Sequence, residues 1–257
     1  AICDLLGVPE TDRQRFSKWA EASLSVTSMW GLFRAMPSLR NMVRYARQQI
    51  ELVRRNPRPG LLTALVEAES GGDRLSENEL LAMVFLLLVA GHETTAHLIS
   101  GGLLTLLQHP HQKQRFMNDA SITTSAVNEI LRYTSPVQLT KPRFATGNML
   151  FHGQQITRGE AVIALIAAAN CDPEKFRDPE RFQIDRQPNP HLAFGAGVHV
   201  CLGMKLAVAE AEIALTRILQ RYPNLSLAVN DDSLQWHSRI GMRALKKLPV
   251  HLQPASY

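Results

Sequence analysis

The residue whose surroundings could do the most chemistry is Cys201. It sits in the run Phe194-Gly195-Ala196-Gly197-Val198-His199-Val200-Cys201-Leu202-Gly203. A lone cysteine is ordinarily a small buried hydrophobe. This one lies directly before a helical pattern, where free N–H groups and the helix dipole favour a thiolate. Glycines at 195, 197 and 203 let backbone approach something flat and bulky, and they leave N–H groups free to point at sulfur. His199 adds a cation or donor close by.

No second Cys or His stands near Cys201 at zinc spacing. A single thiolate among glycines fits haem iron better than zinc. A nucleophilic cysteine with His199 as its base stays open on these residues alone.

A second group is Ala90-Gly91-His92-Glu93-Thr94-Thr95, inside a long apolar stretch. His92-Glu93 followed by His97 imitates a zinc-protease helix, which needs histidines at i and i+4. Here they stand at i and i+5, about 140° apart around a helix, so they share no face. What remains is a carboxylate and a hydroxyl, Glu93 and Thr94, beside Gly91. A buried Glu is costly without a partner or a task, and a mid-helix Gly costs about 1 kcal/mol against Ala. Both make sense if the helix opens a groove for a small ligand or waters. The plain alternative is a Glu93–His97 pair and nothing more. A third group, Glu129 and Arg132 at i and i+3, is by itself an ordinary helix pair.

These residues need elements to position them. Thr11 or Asp12 could cap a helix toward Trp30, and Pro37-Ser38 starts another that ends near Asn56. Pro57-Arg58-Pro59-Gly60 is a break, and Leu61 to Ala68 a short helix. Ser76 with Glu79 makes a capping box for a helix over 76–108, about 50 Å long. It is apolar nearly all round, so it is expected to cross the middle of the domain. A further helix runs from about Thr123 to Tyr133. From Pro142 the helical period gives way to Gly, Pro and short alternation. His152-Gly153 marks a hairpin, residues 172–198 form a long functional loop, Leu202 to Gln220 reads as helix, and the tail as weak β. The fold class is mainly α with small β-sheets, one domain over 1–257. It has a helical part at 1–141 and a part at 142–257 holding hairpins, Cys201 and the last helix.

Composition narrows the class. The chain has 257 residues, 45% of them hydrophobic and 20% charged, with three cysteines. It is too apolar for wholesale disorder and too poor in cysteine for a disulfide framework, which points to a reducing, cytoplasmic setting. The uncharged run between Glu79 and Glu93 is shorter than the roughly 20 residues of a membrane span. Seven arginines between Arg34 and Arg58 face only Glu51. With Tyr45 the single aromatic among them and no recognition motif, they read as a solvated helix face and not as a nucleic-acid stripe.

Together the three groups resemble the cytochrome P450 superfamily, the haem-thiolate monooxygenases. Cys201 matches the axial ligand of the family signature, with Phe194, Gly195, Gly197, His199 and Gly203 around it. Ala90-Gly91-His92-Glu93-Thr94-Thr95 matches the distal helix, with Glu93 and Thr94 as the acid–alcohol pair. Glu129-Ile130-Leu131-Arg132 matches the family's helix pair, and Pro179-Glu180-Arg181-Phe182 its partner, implying a Glu129–Arg132–Arg181 cluster. Arg143 and His199 match contacts to haem propionates. Ala169-Asn170-Cys171-Asp172-Pro173 also fits, although Cys171 stands where soluble bacterial members often have Arg.

The resemblance implies haem b on the Cys201 thiolate and a cytochrome P450 fold lacking its N-terminal helices and first strands. The chain opens in what looks like mid-helix, and it is expected to be part of a longer protein. The implied activity is insertion of one oxygen atom from O2 into a small hydrophobic organic substrate. Met83, Val137, Gln138, Leu139 and Ile240 are the implied substrate contacts. The implied electron donor is a ferredoxin or flavodoxin drawn to Lys175, Arg177 and Lys205. A peroxygenase is the alternative, which the Glu93–Thr94 pair argues against. A haem-binding portion without catalysis is the other.

Overall fold

The computed structural model describes residues 5–7, 9–12, 19, 29–70 and 75–253. They fall into two compact units, Ala1–Ala96 and His97–Tyr257. The change of composition at residue 142 lies within the second.

In the first unit, Glu10–Asp12 form one 3-10 turn, and most of the helix expected toward Trp30 lies outside the described residues. Helix α1 spans Met29–Arg55, with Pro37 inside it. The expectation that Pro37 starts a helix is therefore corrected. A proline costs a helix one hydrogen bond, here to the Phe33 carbonyl, and the apolar stripe that follows holds the helix together. Met42, Ala46, Ile50 and Val53 are buried at helical spacing against Leu62, Leu80, Val84 and Leu88. The arginines at 34, 40, 44, 47, 54 and 55 are exposed, as a solvated face requires. Helix α2 spans Leu61–Ser70.

Helix α3 spans Glu77–Gln108 and passes from the first unit into the second. The capping box at its start is present. The Ser76 amide donates to Glu79 Oε2 at 2.8 Å, and the Glu79 amide donates to Ser76 Oγ at 3.3 Å. By length and composition this helix could cross a membrane, with a mean hydropathy of 1.5 over its most apolar window. It contributes Leu80, Val84 and Leu88 to one core and Leu98, Leu103 and Leu106 to the other. It is not buried all round, as the sequence implied: Leu86 is 57% exposed. Among the described residues, packing partners cover only part of its circumference.

The second unit packs α4 (Pro110–Asn118), α5 (Thr123–Thr134) and a later helix, α7 (Met204–Arg221), with the end of α3; it also holds the short α6 (Ile166–Ala169). Gly102 permits the closest approach. A Cβ there would stand 3.0 Å from Ile130 Cγ2 and 3.3 Å from Leu215 Cδ1. Helix α5 ends at Ser135, left-handed at φ 39°, before Pro136.

The sheets are small and antiparallel: β1 (Arg143–Phe144) with β4 (Ala161–Val162), β2 (Met149–Phe151) with β3 (Gln154–Ile156), and β5 (Ser226–Leu227) with β6 (Val250–His251). His152 and Gly153, at φ 47° and 79°, make the tight turn of the β2–β3 hairpin. The class is thus mainly helical with small sheets, as the sequence indicated.

Candidate functional site

Cys201 is exposed and lies just ahead of α7, whose first residue Met204 donates its amide to the Cys201 carbonyl at 3.3 Å. The Cys201 amide donates to the Phe194 carbonyl at 2.9 Å, closing the loop on itself. Gly195 and Gly197 have φ values of 70° and 72°, a region that glycine occupies without penalty. No heavy atom lies within 4 Å of where a Gly197 Cβ would stand, so the loop leaves open space there. A Cβ on Gly203 would come 4.0 Å from Cys201 Sγ. His199 ends a 3-10 turn over Gly197–His199 and is exposed. The same loop carries exposed apolar side chains, Val198 at 97% and Leu202 at 85%. Phe194, partly buried, packs into the core beneath.

That loop is tied to a buried polar network. Glu129 and Arg132 are both fully buried. Arg132 Nε and Nη2 donate to the two carboxylate oxygens at 2.8 and 2.9 Å. The third member is Arg186, whose Nε lies 3.1 Å from both oxygens. The Gln183 amide and Asn189 Nδ2 complete the shell at 3.0 and 3.2 Å.

The expected Arg181 is corrected here. Its side chain is exposed, and it contributes only its carbonyl, which accepts from Arg186 Nη2 at 2.8 Å. The segment after Phe176 turns back on itself and buries Phe182 and Ile184, which sends Arg181 outward and Arg186 inward. One carboxylate faces two guanidiniums, so the cluster has excess positive charge. The carbonyls of Asn170, Arg177, Asp178 and Arg181 take the remaining donors.

Asn170, fully buried, relays this network to the cysteine loop. Its carbonyl accepts from Arg132 at 2.9 Å, its Nδ2 donates to Ser135 Oγ at 3.0 Å, and its Oδ1 accepts the Leu192 amide at 2.7 Å. Asn170, Arg186, Asn189 and His191 are site-supporting residues that sequence reasoning missed. The Ala169–Pro173 motif pointed at Asn170 without giving its task. Arg186 carried no periodic signal.

The other predicted residues fall in several places. Val137, Gln138 and Leu139 form one ribbon, bridged from Val137 to Met242 and from Leu139 to Leu165. The Gln138 amide donates to the Gly241 carbonyl at 2.8 Å, which brings Ile240, 90% exposed, beside that ribbon. Arg143 is exposed on β1, paired with Val162. Met83, Ala90, Gly91, Glu93 and Thr94 lie on α3 in the first unit. Met83, Gly91, Glu93 and Thr94 are half-buried and Ala90 is exposed. The Thr94 hydroxyl donates to the Ala90 carbonyl at 2.7 Å.

Among the described residues, no cluster of three or more His, Cys, Asp or Glu side chains could hold a metal ion. A metal on Cys201 must bring its other ligands with it. An exposed cysteine on a glycine loop, with uncovered apolar side chains on the same loop, fits a flat apolar macrocycle carrying a thiolate-bound iron. A mainly helical fold with an exposed cysteine on such a loop is what the haem-thiolate class of proteins requires.

Comparison with protein-family models matches residues 28–246 to Cytochrome P450. The chain is 41% identical over 251 residues to Cytochrome P450 CYP107DY1 of Priestia megaterium, covering 97% of this chain and 60% of that protein. Among solved structures it superposes on the bacillaene polyketide synthase cytochrome P450 PksS of Bacillus subtilis. The TM-score is 0.93 at 40% identity, over 98% of this chain and 64% of that one. It superposes equally, TM-score 0.93 at 40% identity, on the myxobacterial cytochrome P450 CYP267B1 in complex with myristic acid, over 99% of this chain and 63% of that one. The chain belongs to the cytochrome P450 family. It spans about 60% of the length of the curated relatives it matches.

Proposed function

We propose that the protein carrying this chain is a haem-dependent monooxygenase that places one oxygen atom from O2 into a small hydrophobic organic substrate. The observation that carries the reading is Cys201, an exposed thiol on a left-handed glycine loop at the start of α7, with Val198 and Leu202 uncovered beside it.

Haem b, when bound, supplies an iron centre that activates O2 once electrons arrive. The protein's own residues do the rest. Cys201 would hold the iron through its sulfur, just ahead of α7. Gly195, Gly197 and Gly203 keep side chains out of the macrocycle's way, and Phe194 supports the loop from below. Arg143 and His199 bind propionates. Glu93 and Thr94 would be the acid–alcohol pair, the carboxyl and hydroxyl that hold and pass protons, with Ala90 and Gly91 leaving room on that helix. Glu129, Arg132 and Arg186 brace the loop. Met83, Val137, Gln138, Leu139 and Ile240 contact substrate.

An apolar substrate agrees with the relatives, one named for polyketide synthesis and one solved with myristic acid. Lys175, Arg177 and Lys205 are exposed cations suited to an acidic ferredoxin or flavodoxin. The test is turnover under isotopically labelled O2 with such a donor. One labelled atom per product supports the reading. Turnover with peroxide alone supports a peroxygenase, and haem binding without turnover a haem-binding portion only.

A further inference from the structure

His191 holds a position that the reaction scheme does not use. It is half-buried, with Nε2 at 3.1 Å from Asn128 Oδ1 on α5 and Nδ1 accepting the Ala193 amide at 3.3 Å. These contacts fix its proton. The Asn128 amide group is oriented by its own Nδ2, which donates to the Thr124 carbonyl at 2.9 Å. Oδ1 is therefore the atom turned to His191, and it can only accept, so the imidazole proton is on Nε2. Nδ1 then carries the lone pair that the Ala193 N–H requires. The next amide back, Leu192, goes to Asn170 Oδ1 at 2.7 Å. Both amides ahead of Phe194 are thus held by side chains, and the Phe194 carbonyl holds the Cys201 amide at 2.9 Å.

We infer that His191 is a positioning residue for the cysteine ligand: as the neutral Nε2–H tautomer it latches the Phe194–Cys201 loop to α5, and protonation opens the latch. This rests on the reading of Cys201 as the iron ligand. A second proton on the ring puts Nδ1–H against Ala193 N–H, donor against donor, in a half-buried place. The charged groups acting on the ring are Glu129 and Arg132 of α5, with Arg186 paired to Glu129 from the loop opposite. Glu129 favours the imidazolium. Arg132 opposes it and burial opposes it more, so the ring's pKa is lowered.

The experiment follows the 15N-labelled 257-residue chain through acid, alone and loaded with haem, beside His191→Gln and Asn128→Leu. Gln offers a donor and an acceptor but does not titrate. At neutral pH the ring nitrogen shifts should report the Nε2–H tautomer. Below about pH 6.5, Ala193 amide protection, corrected for intrinsic exchange, should fall by up to about tenfold per pH unit in the native chain and stay flat in His191→Gln. In the haem-loaded protein the acid loss of the thiolate-type absorption band should move to lower pH in His191→Gln. Asn128→Leu should lower Ala193 protection even at neutral pH. A charged or Nδ1–H ring at neutral pH, or the same acid transition in the native chain and His191→Gln, overturns the inference. If the variants fail to fold, the tautomer and protection profile of the native chain still decide it. Failure of the Cys201 reading shows separately, as a thiolate band that survives Cys201→Ser.

Discussion

Glu129 and Arg186 stand 57 residues apart in the sequence, and Arg186 Nε lies 3.1 Å from both carboxylate oxygens of Glu129. The contact pins an irregular segment to α5 from within the core. The same carboxylate holds Arg132, whose guanidinium reaches Asn170 and through it the Leu192 amide. The loop that carries the exposed Cys201 is therefore braced by a buried charge cluster.

Removing Arg186 leaves Glu129 paired with Arg132, but it takes a charge-assisted hydrogen bond from the carboxylate and the donors from the Arg177, Asp178 and Arg181 carbonyls. Arg186→Leu should lower unfolding free energy by about 3–5 kcal/mol, about 1–3 kcal/mol for each acceptor stranded. Arg181→Ala should change it by no more than about 0.5 kcal/mol, because Arg181 contributes a carbonyl that alanine retains. Urea unfolding of both variants checks this. Equal losses would return the cluster to Arg181.

Adjacent glycines in α3 should respond with opposite signs. A Cβ at Gly101 would meet Thr134 at 3.7 Å, an ordinary contact. Gly101→Ala should gain the helix-propensity difference, about 0.5–1 kcal/mol. At Gly102 the Cβ would press on Ile130 Cγ2 at 3.0 Å, the branch methyl of a fully buried residue. Gly102→Ala should cost about 1–3 kcal/mol in overpacking. Thermal midpoints of the two variants give the signs directly.

Gly197 separates backbone strain from crowding. The space around it is open, so any penalty comes from its φ of 72°. Gly197→Ala should cost about 1–2 kcal/mol, confined to the cysteine loop. The expected result is faster haem loss and an unfolding midpoint lowered by about 2–8 °C in the protein without haem. Stopped-flow transfer of haem to an acceptor protein measures the first and circular dichroism the second.

Acid should weaken the second unit through His191. Burial, the largest cause, holds its pKa below the ordinary histidine value of 6.5. The folded state then binds the proton less readily than the unfolded chain. The contribution is complete above about pH 6.5 and is lost as pH falls through the lowered value. Urea midpoints in this window should fall with pH in the native chain and stay level in His191→Gln.

Much of this was readable from the residues. The Ser76–Glu79 box, the His152-Gly153 turn and the glycines at 195 and 197 are local signals, each set by backbone hydrogen bonding or a φ requirement of its own residues, and the structure has them all. Pro37 misled because a proline's local cost was outweighed by the apolar stripe Met42–Ala46–Ile50–Val53, a tertiary effect. Arg186 and His191 were illegible for a different reason. They lie in a segment without period, so nothing in their spacing says which side chain turns inward. That is decided by where Phe182 and Ile184 bury and by which amides are left over.

The proposed function depends on Cys201 as a thiolate ligand to haem iron. The direct test is the reduced, CO-bound absorption spectrum of the 257-residue chain supplied with haem, beside Cys201→Ser. A strongly red-shifted Soret band that vanishes in the serine variant is the predicted result. A band that is unshifted, or identical in both proteins, would contradict thiolate ligation by Cys201.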